Sequence, residues 1–211
     1  MTLTAPATLI SHALDQLAEL GYTIINDFIP AEEVATLRSQ AKFLQQQGLM
    51  QQAAIGHDSR HQIVRKVRGD ATYWLDETGA SIEQTRYLAR MHDLQQRLNR
   101  DFFLGLVEFE SHFAIYQPGA VYLRHLDQFL GQQERQISAV LYLNDSWLAG
   151  DGGELRLYLD DDAIPNEIDI SPLGGRLVLF LSGRFYHEVL VSKRERFSLT
   201  GWFRTRSLTL P

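Results

Sequence analysis

The segment Tyr122-Leu-Arg-His-Leu-Asp127 lies in a run of short apolar stretches from Tyr116 to Trp202. Residues two apart on a β-strand point to the same face. Read as a strand, this segment sets the His125 imidazole beside the Asp127 carboxylate, about 7 Å apart at the backbone. Two side chains so placed can converge on one metal ion. His187, on a later apolar strand, offers a third ligand.

Outward from that segment, the chain from about Leu106 reads as short strands separated by turns. The predicted strands are Val107 to Tyr116, Val121 to Asp127, Gln136 to Asn144, Glu154 to Leu159, Ile168 to Ile170, Arg176 to Leu181, Tyr186 to Val191 and Arg196 to Thr205. Gly119, Gly131, Asp151-Gly152-Gly153, Gly174-Gly175 and Ser192-Lys193 punctuate them, and Asp160-Asp161-Asp162 reads as an exposed hairpin turn. Eight short strands in succession predict a jelly-roll double sheet.

The first half reads as mixed helix and strand. Ile10, Leu14 and Leu17 recur at helical spacing, and Gly21 can end that helix. Tyr22-Thr-Ile-Ile25 is rich in β-branched residues and predicts a short strand. Pro30 followed by Glu32 and Glu33 opens a second helix with the stripe Val34, Leu37, Ala41 and Leu44, and Gly48 is its stop. Leu49 to His61 is polar, Ile63 to Val67 reads as a strand and Arg68-Gly-Asp70 as a turn. Ser81 and Gln84 are spaced as a capping box for a third helix, whose inner face is Tyr87, Met91, Leu94, Leu98 and Phe102. The expected architecture is α+β, a jelly-roll core over about 106–206 with supporting N-terminal helices in about 1–105, all within one domain over 1–211.

Alternation in the last strand separates two faces. Phe197, Leu199 and Phe203 would pack under the helices, leaving Arg196, Ser198, Thr200 and Trp202 inside the barrel. A buried guanidinium needs an anion. Asp127 and Glu154 are possible partners in the chain, and a bound carboxylate held by two parallel hydrogen bonds is the economical alternative. Tyr142, on the face opposite Ile137, Ala139, Leu141 and Leu143, could reach the same anion.

Composition excludes several classes. The chain has no cysteine, so disulfides, thiolate metal sites and cysteine nucleophiles are out. A net charge of −6 argues against a nucleic-acid partner; the island Arg60, His61, Arg65, Lys66 and Arg68 is the local exception. No signal peptide or membrane-spanning stretch is evident, and a cytoplasmic location is expected. Two histidines and one carboxylate on one face of a metal form the facial triad of non-haem Fe(II) oxygenases.

The ordered set resembles the 2-oxoglutarate/Fe(II)-dependent dioxygenases, in particular the prolyl 4-hydroxylase group with the hypoxia-inducible-factor prolyl hydroxylases and their bacterial relatives. The residues that carry the likeness are Tyr116-Gln-Pro-Gly119, Tyr122 to Asp127, Tyr142-Leu-Asn144, Gly152-Gly-Glu-Leu-Arg156, His187-Glu-Val189 and Arg196-Phe-Ser-Leu-Thr-Gly-Trp202, with Arg68-Gly-Asp70 and Trp74 upstream. The resemblance implies a double-stranded β-helix and an Fe(II) centre on His125, Asp127 and His187. It implies 2-oxoglutarate held by Arg196 with Tyr142, near Tyr116 and Thr200, with Leu155 as an apolar wall. Fe(II), 2-oxoglutarate and O₂ are the implied cofactors, with ascorbate as an optional addition.

The implied reaction oxidises 2-oxoglutarate to succinate and CO₂ and hydroxylates C4 of a prolyl residue in an exposed loop of a protein. Elongation factor Tu is a candidate target. Arg135, Trp202, Tyr122, Arg68 and Asp70 would contact the substrate, under a mobile loop at about Leu49 to Arg68. No nucleic-acid or membrane partner is implied, and a monomer is favoured. A free amino acid or other small molecule as substrate, a nucleic-acid demethylase and a non-redox metal-binding sensor module are the alternatives; the acidic charge weighs against the second, and Arg196 with Tyr142 against the third.

Overall fold

The computed structural model describes residues 7–53, 68–128, 133–159 and 166–207. The predicted strand at Ile63 to Val67, the turns at Gly131 and Asp160 to Asp162, and most of the basic island and of the loop from Leu49 to Arg68 lie outside the described residues.

Three helices precede the strand-rich half. α1 spans Ala7–Leu20, α2 Ala31–Gln46 and α3 Ile82–Phe102. Their ends follow the chemistry read from the sequence. Gly21 and Gly48 take positive φ where α1 and α2 stop. The Ser81 hydroxyl accepts from the Gln84 amide while the Gln84 side chain accepts from the Ser81 amide, closing the capping box of α3. Gln40 of α2 bonds to both Ser81 and Gln84, which joins the two helices there.

Among the described residues eleven strands occur, in chain order: β1 Tyr22–Ile25, β2 Gln51–Gln52, β3 Asp70–Trp74, β4 Glu108–Tyr116, β5 Tyr122–His125, β6 Arg135–Tyr142, β7 Leu155–Tyr158, β8 Glu167–Ile170, β9 Leu177–Leu181, β10 His187–Val189 and β11 Arg196–Arg204. They form a seven-stranded sheet in the order β1-β9-β6-β11-β4-β3-β2 and a four-stranded sheet in the order β5-β10-β7-β8. All pairings are antiparallel. The two facing sheets are the double-stranded β-helix that the eight predicted strands pointed to.

Two expectations need correction. Arg68-Gly-Asp70 is not a turn: Arg68 bridges to Tyr122 and Asp70 begins β3 beside Tyr116. A Cβ on Gly69 would lie 3.0 Å from the Ala120 Cβ, so this glycine serves a close approach of two chains. β5 also stops at His125, leaving Asp127 just past the strand end.

Side-chain alternation sorts the core into two layers. Ile137, Ala139 and Leu141 of β6, Leu177 and Leu179 of β9, and Phe197, Leu199 and Phe203 of β11 pack against Leu14, Leu17, Leu37, Tyr87, Met91 and Leu98 of the helices. Val140 and Tyr142 of β6, with Val178 and Phe180 of β9, face the smaller sheet through Leu155 and Leu157. Each such aliphatic or aromatic side chain contributes roughly 1.5–3 kcal/mol by leaving water. Across α2 and α3 runs a buried ion pair, Arg90 to Glu33, at 2.5 and 2.9 Å. Removing Glu33 takes away the carboxylate that balances a buried guanidinium. Glu33→Ala is therefore expected to lower stability by about 3–5 kcal/mol, read from the urea midpoint at unchanged slope.

Candidate active site

The two sheets enclose a cavity, and each contributes different chemistry. From the smaller sheet come His125 on β5 and His187 on β10, directly opposite each other in register. Asp127 reaches between them, with Oδ1 3.5 Å from His125 Nε2 and Oδ2 3.5 Å from His187 Nε2. One ligand atom from each of the three lies within 4.8 Å of the others.

Donor chemistry says what belongs among these atoms. His125 Nδ1 donates to the Leu123 carbonyl at 2.8 Å and His187 Nδ1 to the Phe185 carbonyl at 3.1 Å. A carbonyl can only accept, so both protons reside on Nδ1 and both Nε2 atoms turn lone pairs inward. Two such lone pairs and a carboxylate form an acceptor set that a divalent cation fits. Burial alone would raise the Asp127 carboxyl, yet His187 and His125 beside it hold it well below the usual carboxylate range. Burial, followed by the neighbouring His187, lowers His125. His187 is depressed by burial but carried above its ordinary value by Asp127.

Outer contacts fix these three groups. The Ser138 hydroxyl of β6 donates to Asp127 Oδ2 at 2.6 Å and lies 2.8 Å from the Ser182 hydroxyl. Tyr122 stacks on His125 with centroids 3.6 Å apart, and the Arg68 guanidinium covers Tyr122 at 4.7 Å. Arg68 is itself held by Asp70 through two hydrogen bonds of 2.8 and 3.1 Å. Asp70, Arg68, Tyr122 and His125 thus make one stack whose inner end orients an imidazole. Ser138→Ala would free the carboxylate to rotate and is expected to weaken Fe(II) binding about 10- to 100-fold, measurable by competition with a fluorescent chelator.

The larger sheet supplies Arg196, 2% exposed at the start of β11. Its guanidinium sits 5.0 Å over the rings of both Tyr116 and Tyr142, and its Nε donates to the Gly153 carbonyl at 2.8 Å. That approach needs the Gly-Gly turn. A Cβ on Gly152 would fall 2.1 Å from the Val191 carbonyl oxygen, and one on Gly153 would meet Arg196 Cδ at 3.1 Å. Among the described residues no carboxylate pairs with Arg196: Asp127 is taken up by the histidines, and Glu154 makes no ion pair with it. The buried Tyr142 hydroxyl likewise has no hydrogen-bond partner there. A buried guanidinium without a carboxylate partner among the described residues, beside an unsatisfied hydroxyl, is a receptor for an anion.

The cavity brings together Arg68, Asp70, Tyr116, Tyr122, Leu155, Arg196, Thr200 and Trp202 with the three acceptor residues. Two expected residues stand one layer back: Tyr142 under Arg196, and Arg135 over the Trp202 ring at 3.6 Å while bonded to Glu110. Sequence reasoning missed His112, Val140, Phe180 and Val189 in the lining, and Ser138 behind Asp127. Strand parity could have revealed Ser138, since it shares the inward face with Val140 and Tyr142.

Residues 111–204 match the family model of the 2OG-Fe(II) oxygenase superfamily. The chain is 41% identical to a prolyl-4-hydroxylase of Pseudomonas putida, covering 93% of this chain and 99% of that one, with a TM-score of 0.85. It belongs to the 2OG-Fe(II) oxygenase superfamily, whose members use Fe(II), 2-oxoglutarate and O₂. Within that superfamily its similarity is to prolyl hydroxylases. A prolyl hydroxylase of Trichoplax adhaerens, solved in complex with a hypoxia-inducible-factor oxygen degradation domain peptide, is 27% identical over 97% of this chain with a TM-score of 0.84. The hypoxia-inducible factor prolyl hydroxylase of Caenorhabditis elegans is 29% identical over 93% of this chain, which spans 28% of that relative's length.

Proposed function

We propose that this chain hydroxylates a prolyl residue of a protein, consuming 2-oxoglutarate and O₂ and releasing succinate and CO₂. The observation that carries the reading is a buried arginine without a carboxylate partner among the described residues, facing the same cavity as three convergent metal-ligand atoms. The prolyl hydroxylases among its relatives support the substrate class.

His125, Asp127 and His187 would hold Fe(II), which supplies the activation of O₂ and the oxidising power when bound. Arg196 would take the C5 carboxylate of 2-oxoglutarate through its terminal guanidinium N–H groups, and the Tyr142 hydroxyl would donate to the same carboxylate. Tyr116 and Thr200 flank the cosubstrate path, and Leu155 closes it as an apolar wall that keeps water out. The Asp70–Arg68–Tyr122 stack keeps His125 aimed. Trp202, with Arg135 on its far side, forms the wall against which the target proline is set, and placement of that ring selects C4 as the carbon that is hydroxylated.

Elongation factor Tu is the proposed target, in an exposed proline-containing loop. The test is succinate formation by the Fe(II)-loaded protein with 2-oxoglutarate and O₂, with and without purified elongation factor Tu or extract protein. Stimulation by protein, with a digest containing a proline heavier by one oxygen atom, is the expected result. Turnover raised only by free amino acids would move the reading to a small-molecule oxygenase.

A further inference from the structure

His112 is 1% exposed and Trp202 5% exposed, and both line the cavity. Among the described residues neither ring nitrogen of His112 nor the indole N–H of Trp202 has a hydrogen-bond partner. Two of these three atoms are N–H donors, one on His112 and one on Trp202, and an acceptor that enters the cavity would offset the cost of leaving both unmet.

Their position says which molecule that is. His112 stands opposite Thr200, and Arg196 is four residues further along the same strand, about 13 Å at the strand rise. That separation puts His112 well away from the anion receptor. His112 lies instead between Trp74 and Trp202, with centroids 4.7 and 5.5 Å away, and Trp74 is half exposed.

Charge narrows the class. Arg68 is neutralised by Asp70 and Arg135 by Glu110. Burial first, then Arg68, pushes His112 down to about 3, so it is an uncharged imidazole with one N–H and one lone pair. An uncharged pair suits an uncharged hydrogen-bonding group, flanked by aromatic faces that pack an apolar ring.

Resting on the prolyl-hydroxylase reading above, we propose that His112 and Trp202 Nε1 form a binding subsite for a backbone carbonyl of the target segment beside the prolyl ring, which Trp74 and Trp202 cover.

The experiment uses the Fe(II)-loaded full chain with purified elongation factor Tu as probe. His112→Phe keeps the stacking but removes both hydrogen-bonding atoms. It is expected to raise the KM for the protein target about tenfold and to move the KM for 2-oxoglutarate less than about twofold. His112→Gln, which retains an uncharged donor and acceptor, is expected to recover most of the loss. As a readout independent of these variants, the Trp202 indole ¹H–¹⁵N signal of the zinc-loaded protein, assigned by Trp202→Phe, is expected to shift when the target binds. A rise in the KM for 2-oxoglutarate instead, or an unmoved indole signal in a saturated complex, would overturn the assignment. If the wild type hydroxylates proline neither in elongation factor Tu nor in extract protein, the underlying reading fails and this subsite falls with it. Proline hydroxylation by the wild type with no effect of His112→Phe would overturn the subsite alone.

Discussion

Asp127→Ala is expected to lower Fe(II) affinity and succinate formation by more than about 100-fold. The magnitude follows from what this carboxylate does in the site. Loss of even an outer partner of a metal ligand costs about 10- to 100-fold, and Asp127 is a direct ligand in the proposed centre. It is also the anion facing both imidazole Nε2 atoms at 3.5 Å. Removing it deletes one donor and most of the negative charge that would attract a divalent cation. Asp127→Asn keeps the shape and the reach of the side chain but not the charge, so it should fall between wild type and alanine. Fe(II) binding by chelator competition, measured beside succinate yield, checks that the two losses move together.

The second large effect is at Arg196. Arg196→Leu is expected to raise the KM for 2-oxoglutarate by about 100-fold or more, because two hydrogen bonds to a charged group are each worth about 1.5–3 kcal/mol. Arg196→Lys keeps the charge but loses the planar fork and should cost about tenfold. Fe(II) affinity should be unchanged in both, since the guanidinium is held by Tyr116, Tyr142 and Gly153 on the opposite side of the cavity from the histidines. A thermal melt beside the kinetics accounts for the lost bond to Gly153.

The division of labour between the sheets explains why much of the molecule was legible from the chain. The parity rule placed Phe197, Leu199 and Phe203 under the helices and Arg196, Thr200 and Trp202 inside, because a strand with two buried faces still alternates in what each face touches. Ser81 and Gln84 announced α3 through a local interaction that needs no tertiary context. His125 and Asp127 converge although β5 ends at His125, since the one intervening residue, Leu126, keeps the two side chains within reach.

The failures have equally local causes. β3 was missed because Gly69 reads as a turn residue, while its real task is to let the chain pass against Ala120. Arg68, Asp70 and Tyr122, expected at the substrate, do line the cavity, and beyond that expectation they bond to one another and stack on His125. Nothing in the order of residues marks that stack, which forms only when β3 pairs with β4. His112 was silent for the same reason: an isolated histidine on an apolar strand acquires meaning only from Trp74 and Trp202 across the sheet.

Oxygen transfer to a prolyl carbon of a protein is the reaction on which every role proposed for the site depends. Its most direct test is mass spectrometry of elongation factor Tu and extract protein after incubation with the Fe(II)-loaded chain, 2-oxoglutarate and isotopically labelled O₂. The expected product is hydroxyproline carrying one labelled oxygen, formed together with succinate and absent with Asp127→Ala. Succinate formed without any modified proline in the protein would contradict the account.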